Sequence, residues 1–596
     1  MCGIFGAVSN NNSIEVSIKG IQKLEYRGYD SCGIAYADGD GVIERIRSID
    51  GIEDLRKKTL EESSPVAIAH SRWSTTGIPS VVNAHPHISR GTSGCESRIA
   101  VVHNGIIENY QQIRKYLINL GYTFDSQTDT EVIAHLIDSQ YNGNILHTVQ
   151  MAVKHLKGSY AIAVMCHKES GKIVVAKQKS PLVLGIGSDG AYYIASDVLA
   201  LPTNKVVYIS DGFSAELSPG SMTIYDPDGN EVEYEVEDVE MEQTSMSLDN
   251  FDHYMIKEIN EQPISILNTI KNKGFYAEIF GDLAHEIFQK IDNILILACG
   301  TSYHAGLVGK QWIETIARIP VDVHIASEYE PTIPRANTLV ITISQSGETA
   351  DTIAALQRAQ NAGMIYTLCI CNSPKSTLVR ESVMKYITKC GSEVSVASTK
   401  AFTSQLVVLY MLANVLANKT DDLLGDLPQA IERVICLTND EMKRWADEIC
   451  TAKSAIFLGR GLNAPVAFEG ALKLKEISYI HAEGFLGGEL KHGPLALLDD
   501  KIPVIVTVAD HAYLDHIKAN IDEVLARNVT VYAIVDQYVN IEPQERLHVV
   551  KVPFVSKEFS PIIHTIPMQL LSYYVAIKLG KNVDKPRNLA KSVTTF

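Results

Sequence analysis

Leu339-Val340-Ile341-Thr342-Ile343-Ser344-Gln345-Ser346-Gly347-Glu348-Thr349 opens as an apolar, β-branched run and ends in hydroxyls around one glycine. Such a run reads as a buried strand, and the polar turn leads into an amphipathic stretch over 351–362 with helical spacing. A further apolar run at 365–370 gives strand, loop, helix, strand. The same order begins upstream, where 294–298 runs into Cys299-Gly300-Thr301-Ser302 and a helix. It recurs about 160 residues later, as 455–458 with Gly459-Arg460-Gly461, a helix, 502–508, a helix and 530–535. Parallel strands require helical crossovers, so the pattern predicts a duplicated doubly wound α/β unit with ligands at the carboxyl ends of its strands.

The two copies differ where a ligand would sit. Ser344, Gln345, Ser346 and Thr349, with Thr301 and Ser302 at the neighbouring strand end, surround two helix starts. One hydroxyl there would be an ordinary N-cap, whereas a cluster at adjacent strand ends suits a monophosphate. The later copy offers Val508-Ala509-Asp510-His511, whose carboxylate would repel phosphate. The first lobe is therefore expected to bind the anion and the second to supply chemistry. The helix expected over 464–480 carries Glu469, Lys473 and Glu476 on one stripe in an otherwise apolar sequence. Glu483, Glu489, Lys491 and His492 follow in or beside the glycine-rich segment 484–493, a composition suited to proton transfer. Lys591, near the end of the chain, adds an amine able to form a Schiff base with a carbonyl compound.

The first 240 residues read differently, with strands expected at 66–69, 98–103, 160–165, 173–176 and 192–195, and helices at 108–120 and 129–138. That mixture suggests an α+β domain of layered, largely antiparallel sheets. It begins Met1-Cys2-Gly3-Ile4-Phe5-Gly6. Removal of Met1 would leave Cys2 with a thiol and its own free α-amine, a nucleophile beside a base. The acidic stretch 226–249, poor in large apolar residues, reads as a linker. At 596 residues the chain should hold three or four domains. Its net charge of −17 argues against nucleic acid or an anionic membrane as partner. The longest apolar run, 406–417, is too short to span a bilayer and no apolar leader precedes Cys2. Ten scattered cysteines without a second zinc-spaced pair read as reduced thiols, so a cytoplasmic protein is expected.

These motifs resemble the isomerising glutamine–fructose-6-phosphate aminotransferases over almost the whole chain. In the first half the resemblance is carried by Cys2-Gly3-Ile4, Tyr26 to Ser31, Ser71-Arg72-Trp73, Asn83 to His87, His103-Asn104-Gly105 and Thr128 to Glu131. In the second it is carried by Cys299 to Tyr303, Ser344 to Thr349, Ala397 to Lys400, Glu469 to Glu483, Glu489 to Pro494 and Pro586 to Thr594. The resemblance implies a layered α/β/β/α N-terminal-nucleophile glutaminase domain followed by two α/β doubly wound sugar-isomerase lobes. It divides the chain into 1–240 with the acidic linker at its end, 241–430, 450–580 and a lid tail 581–596. Implied substrates are L-glutamine and fructose 6-phosphate, the product being glucosamine 6-phosphate for UDP-N-acetylglucosamine synthesis, with no cofactor and no metal.

The same resemblance assigns Cys2 as nucleophile, Asn104 and Gly105 as oxyanion hole, Arg72, Asp129 and His85 as glutamine-binding residues, and Trp73 as gate of an ammonia channel. It assigns the phosphate to Thr301, Ser302, Ser344, Gln345, Ser346 and Thr349, with Ser398 nearby. His492, from a neighbouring subunit of a homodimer, would open the sugar ring, Lys591 would hold the ketose, and Glu476 would move the proton, with Glu469 and Lys473 in the same cluster. Thr76 stands where the family has histidine, Ser71 and Ser74 where it has threonine and alanine, and Cys32 where it has alanine. The end Thr594-Thr595-Phe596 also departs from the family. Rival readings are excluded by what the chain lacks. An asparagine synthetase needs an ATP-pyrophosphatase motif, a phosphoribosyl enzyme an acidic diphosphate loop, and a sugar-sensing regulator a basic helix-turn-helix.

Overall fold

The computed structural model describes residues 2–94, 98–239, 247–271, 274–509 and 512–594. The chain forms two compact units, residues 1–244 with 590–596, and 245–589.

The first unit holds two antiparallel sheets. One has eight strands in the order 237–238, 205–208, 183–186, 192–195, 3–8, 66–72, 31–37 and 43–48. The other has seven, in the order 231–232, 221–225, 214–218, 173–178, 158–166, 99–107 and 87–89. Gly3–Val8 sits inside the first sheet and is buried on both faces. Alternation sends Ile4 and Val8 into the core between the sheets, with Ile68, Val102, Ala163 and Val175. It sends Phe5 and Ala7 outward, under helices Ser13–Lys23 and Ile52–Lys58. Helices Tyr110–Asn119, Thr130–Gln140 and Ile145–Val153 cover the outer face of the second sheet. The result is four layers, α/β/β/α. The acidic stretch read as a linker corrects that expectation in part, since Glu231–Val232 and Glu237–Asp238 each add an edge strand to a sheet. Residues 240–246 of that stretch lie outside the described residues.

The second unit holds two parallel five-stranded sheets. The first runs 321–325, 293–298, 338–344, 366–371, 384–387 and the second 481–486, 454–459, 504–508, 531–536, 547–552. Both therefore have the order second, first, third, fourth, fifth, and both reverse between the first and third strands, where such sheets bind ligands. A left-handed glycine follows the first strand in each copy, Gly300 at φ +53° and Gly461 at φ +54°, and turns the chain into a helix. Helices Lys400–Leu416, Leu427–Ile449 and Ser560–Lys578 pack into one apolar core that runs through both sheets and includes Trp312, Phe402, Trp445, Phe457 and Ile566. The lobes are thus one packed body. The apolar run at 406–417 falls in the buried Lys400–Leu416 helix, and among the described residues no helix is long and apolar enough to cross a membrane.

Candidate active site

Cys2 lies at the start of the Gly3–Val8 strand, beside the end of Val66–Arg72. Its thiol meets the backbone of Trp73 twice: Trp73 N–H donates to Sγ at 3.3 Å, and Sγ lies 3.4 Å from Trp73 O. Burial pushes the thiol pKa up, while the positive chain terminus, the Trp73 hydrogen bond and Arg72 pull it down. Asn104 Nδ2 donates to Cys2 O at 3.0 Å, which sets the expected oxyanion donor beside the expected nucleophile. Next to it, Gly105 has φ +133°, and a Cβ there would lie 2.0 Å from Ser159 O, so only glycine fits. The Arg72 guanidinium closes its own loop, donating to Ser74 Oγ at 3.0 Å, Thr76 O at 2.6 Å and Gly77 O at 3.2 Å. Of the expected departures from the family, Thr76 therefore contributes its carbonyl oxygen to the loop and Ser74 its hydroxyl. The Trp73 ring stands edge-on to Tyr29, with centroids 5.8 Å apart.

Behind the thiol lies a layer of buried histidines, of which the sequence reading singled out His85 but not His70. His70 Nε2 lies 3.0 Å from His103 O and 3.1 Å from Asn104 Oδ1, and its ring stacks on His85 at 4.1 Å. Burial lowers the pKa of His70 to about 3 and that of His85 well below its usual value. His85, expected to touch glutamine, is 4 % exposed and belongs to this stack. Asp129 accepts from Ile107 N at 2.9 Å. Its turn is held by Glu131, which accepts from Asp125 N, Ser126 N and Ser126 Oγ at 2.7–2.9 Å. The alternation of His70 and Arg72 on one strand was the available signal, but nothing in the sequence said what His70 would face.

In the second unit, the hydroxyl cluster lies at the first sheet's reversal point. Ser344 Oγ accepts from Gly347 N at 3.0 Å and meets Thr349 Oγ1 at 3.2 Å, while Ser346 Oγ accepts from Glu348 N at 3.2 Å. Gly347, at φ +69°, leaves no room for a side chain: a Cβ would lie 1.9 Å from Ser376 Oγ. Glu348 ties the loop to Thr377 N and Oγ1, both at 2.8 Å, and Asn372 N donates to Gln345 O at 3.3 Å. The loop is shaped before any ligand arrives, at the start of helix Ala350–Asn361. Ser302 lies in the first turn of helix Gly300–Trp312. Ser398 is turned to Glu393, donating to Oε2 at 2.9 Å.

Thr301 joins a different group. Lys473 Nζ, 1 % exposed, donates to Thr301 Oγ1 at 3.0 Å and Glu476 Oε2 at 2.7 Å, with Glu469 Oε1 at 3.4 Å. Thr301 Oγ1 in turn donates to Glu469 Oε1 at 3.1 Å, and His304 Nδ1 lies 2.8 Å from the other oxygen. Burial opposes the charge on Lys473, yet Glu469, Glu476 and Glu393 hold its pKa well above the usual lysine value. Glu393 also caps helix Lys400–Leu416 through Thr399 N and Ala401 N. The sequence reading missed both Glu393 and His304, which only the fold brings to the cluster.

His492 ends the Gly487–His492 turn, is exposed, and forms no hydrogen bond among the described residues. That turn lies on helix Leu514–Leu525. Arg460 Nε donates to Asn520 Oδ1 at 3.1 Å, and Lys491 pairs with Glu523 at 2.5 Å. Lys591 is half-buried in the 590–596 segment grouped with the first unit.

At the second sheet's reversal point, Leu462-Asn463 replaces Thr301-Ser302 after the left-handed glycine. Asn463 Nδ2 donates to Thr507 Oγ1 at 2.7 Å and Ser560 Oγ to Asn463 Oδ1 at 2.7 Å. Thr507 Oγ1 meets His564 Nδ1 at 2.7 Å, and His564 Nε2 meets Asp536 Oδ1 at 2.8 Å. These buried groups satisfy one another. Asp510 and His511, on which the expected repulsion rested, lie outside the described residues.

Comparison with known proteins agrees with this division. The SIS domain model matches residues 287–415 and 448–579, and the glutamine amidotransferase domain model matches 90–203. Glutamine–fructose-6-phosphate aminotransferase [isomerizing] of Bordetella parapertussis is 48% identical over 613 residues, covering all of both chains. The protein of the same name from Neisseria meningitidis serogroup A is 46% identical over 619 residues, again with full coverage of both. Among solved structures, the C-terminal domain of glucosamine-fructose-6-phosphate aminotransferase from Francisella tularensis matches with a TM-score of 0.53 and 42% identity, covering 57% of this chain and 100% of that one.

Proposed function

The chain belongs to the isomerising glutamine–fructose-6-phosphate aminotransferases, and from that premise we propose how its two halves share the reaction. The enzyme converts fructose 6-phosphate and glutamine to glucosamine 6-phosphate and glutamate. Once Met1 is removed, Cys2 attacks the glutamine amide and its own α-amine takes the thiol proton. Asn104 Nδ2 and the Gly105 N–H bind the oxygen of the tetrahedral intermediate. Arg72 and Asp129 hold the α-carboxylate and α-amine of glutamine, with His85 behind them. The ammonia leaves past Trp73 through a channel to the sugar half.

In the sugar half, Ser302, Ser344, Gln345, Ser346 and Thr349 bind the phosphate through a preshaped loop and two helix starts. Thr301 shares that end of the sheet, and Ser398 reaches the sugar once it turns from Glu393. His492 opens the ring, Lys591 takes the open ketose as a Schiff base, and Glu476 carries the proton between C1 and C2. Lys473 stays charged beside Glu469 and Glu476, and Glu476 is the proposed base. His492 comes from a partner subunit, so the working assembly is a homodimer, and its exposure in the single chain supports this. The free thiols of the described cysteines support a cytoplasmic location.

One observation carries the reading: a single chain holds both the Cys2–Trp73–Asn104 arrangement and the Lys473 cluster beside the hydroxyl loop. The test measures glucosamine 6-phosphate formed from fructose 6-phosphate with glutamine and then with free ammonia. Synthesis from both is expected. Synthesis from ammonia alone would refute the glutaminase half, and synthesis from neither would refute the sugar half.

A further inference from the structure

We propose that His70 is the positioning residue of the oxyanion hole, its Nε2–H fixing the Asn104 amide so that Nδ2 faces Cys2. The proposal rests on the reading of Cys2 as nucleophile and Asn104 as oxyanion donor. His70 lies on the Val66–Arg72 strand, two residues before Arg72, and is fully buried. Its Nε2 faces two oxygens, His103 O at 3.0 Å and Asn104 Oδ1 at 3.1 Å. A main-chain carbonyl can only accept a hydrogen bond, so Nε2 carries the hydrogen. The Asn104 atom facing Nε2 must then be the amide oxygen. That leaves Nδ2 on the far side, 3.0 Å from Cys2 O. A flipped amide would set N–H against N–H at His70 and oxygen against oxygen at Cys2. Nδ2 bears two hydrogens. Cys2 O holds one, and the other is left for the substrate oxygen as it gains charge.

The remaining nitrogen supports a neutral ring. His70 Nδ1 is buried without a hydrogen-bond partner. A proton there would be a buried donor with no acceptor, on a cation stacked 4.1 Å from the His85 ring and repelled by Arg72. Burial holds the group neutral down to about pH 3. His70 therefore moves no proton in the reaction. Its effect is to hold one amide in one of two orientations, which differ little in shape and completely in the charge offered to an oxyanion.

Three variants test this. His70→Phe keeps a ring over His85 and removes the donor. Its kcat for glutamine hydrolysis should fall by about 10- to 100-fold, less than the full loss of one oxyanion donor. KM for glutamine and ammonia-dependent synthesis should stay within about twofold of wild type, a shift of at most about 0.4 kcal/mol. His70→Gln, whose Nε2 can reach the same two oxygens, should recover most of the lost kcat, while His70→Asn, one bond shorter, should not. The unmodified enzyme supplies a readout that needs no variant: the ¹³Cδ2 shift of His70 should report the neutral Nε2–H tautomer from about pH 5 to 9. Wild-type kcat in His70→Phe, equal losses in Phe and Gln variants with raised KM, or an Nδ1–H tautomer would each overturn the proposal. Cys2→Ala separates the two levels. If it still hydrolyses glutamine, the reading of the nucleophile falls; if it is inactive while His70→Phe is normal, the His70 proposal falls alone.

Discussion

The Cys2 sulfur has its hydrogen-bonding partners on one backbone, that of Trp73, while Asn104 holds the Cys2 carbonyl. These contacts fix the thiol but supply no base, because burial makes His70 and His85 poor proton acceptors and the histidines face into their own network. On the proposed mechanism the base is the residue's own free α-amine. Cys2→Ala should abolish glutamine hydrolysis and glutamine-dependent synthesis while ketose-to-aldose isomerisation by the sugar half continues. A form that keeps Met1 should fail in the same way, because its amine is displaced by a residue. Product assays on the two forms, with intact mass to establish the N-terminus, check this. Hydrolysis at the wild-type rate by either form would remove Cys2 or its amine from the mechanism.

Local elements place these residues, and two of them carry measurable energy. Glu131 holds the turn before Asp129 through three hydrogen bonds to residues 125 and 126, and His135 lies at 3.6 Å. Burial opposes its charge, but His135, Ser126 and the two main-chain donors lower its pKa to about 2. A depressed carboxylate pKa adds stability that is fully present above the unfolded value of about 4.3 and is lost as pH falls towards 2, on the order of 2–3 kcal/mol. Glu131→Gln should be less stable at neutral pH by about that amount and should lack that part of the acid loss. Trp73, the one tryptophan before residue 312, reports the first unit's unfolding in urea; parallel pH curves for the two proteins would count against the argument. In the hydroxyl loop, Ser346→Ala and Thr349→Ala should each weaken fructose 6-phosphate binding by about 1–3 kcal/mol, measured by calorimetry. Changes at Thr507, in the satisfied second reversal point, should leave that affinity unaltered. The central strands were legible to within about two residues because buried parallel strands are continuous apolar runs. Edge strands Val321–Ile325, Met384–Ile387, His481–Leu486 and Leu547–Val552 were not, since they mix polar and apolar residues. Gly3–Val8 was hidden by its glycines, whose small size the close packing against Ser71 and Ile194 requires. The site residues were legible where they form a local motif, as in Cys2-Gly3 or Ser344 to Thr349. His70 and Glu393 were not, because their partners arrive from distant sequence.

Across the whole molecule, the two copies of one sheet order differ at their reversal points, with a preshaped hydroxyl loop in one copy and a filled polar network in the other. On the proposed reading that asymmetry leaves one sugar-phosphate site per chain, and the proposed chemistry needs one amine to hold the open sugar. Two lysines are candidates, and their surroundings separate them. Lys473 is buried against Glu469 and Glu476, which keep it protonated, and a protonated amine cannot attack a carbonyl. Lys591 stands in sequence between Leu589, Ala590, Ser592 and Val593. The chain leading to it is anchored at Asp584, which caps helix Tyr254–Asn260 through Tyr254 N and Met255 N at 2.9 Å. It is anchored again at Arg587, whose N–H donates to Tyr479 Oη at 2.7 Å and whose guanidinium lies 4.3 Å from that ring. Tyr479 ends the helix that carries Lys473 and Glu476. Lys591 follows Arg587 by four residues in the sequence. Borohydride added with fructose 6-phosphate should therefore trap one sugar per chain on Lys591, read by peptide mass spectrometry. Lys591→Arg should prevent trapping and stop synthesis from glutamine and from ammonia, while glutamine hydrolysis continues. An adduct on Lys473, or none during turnover, would refute the assigned chemistry and leave the duplicated fold untouched.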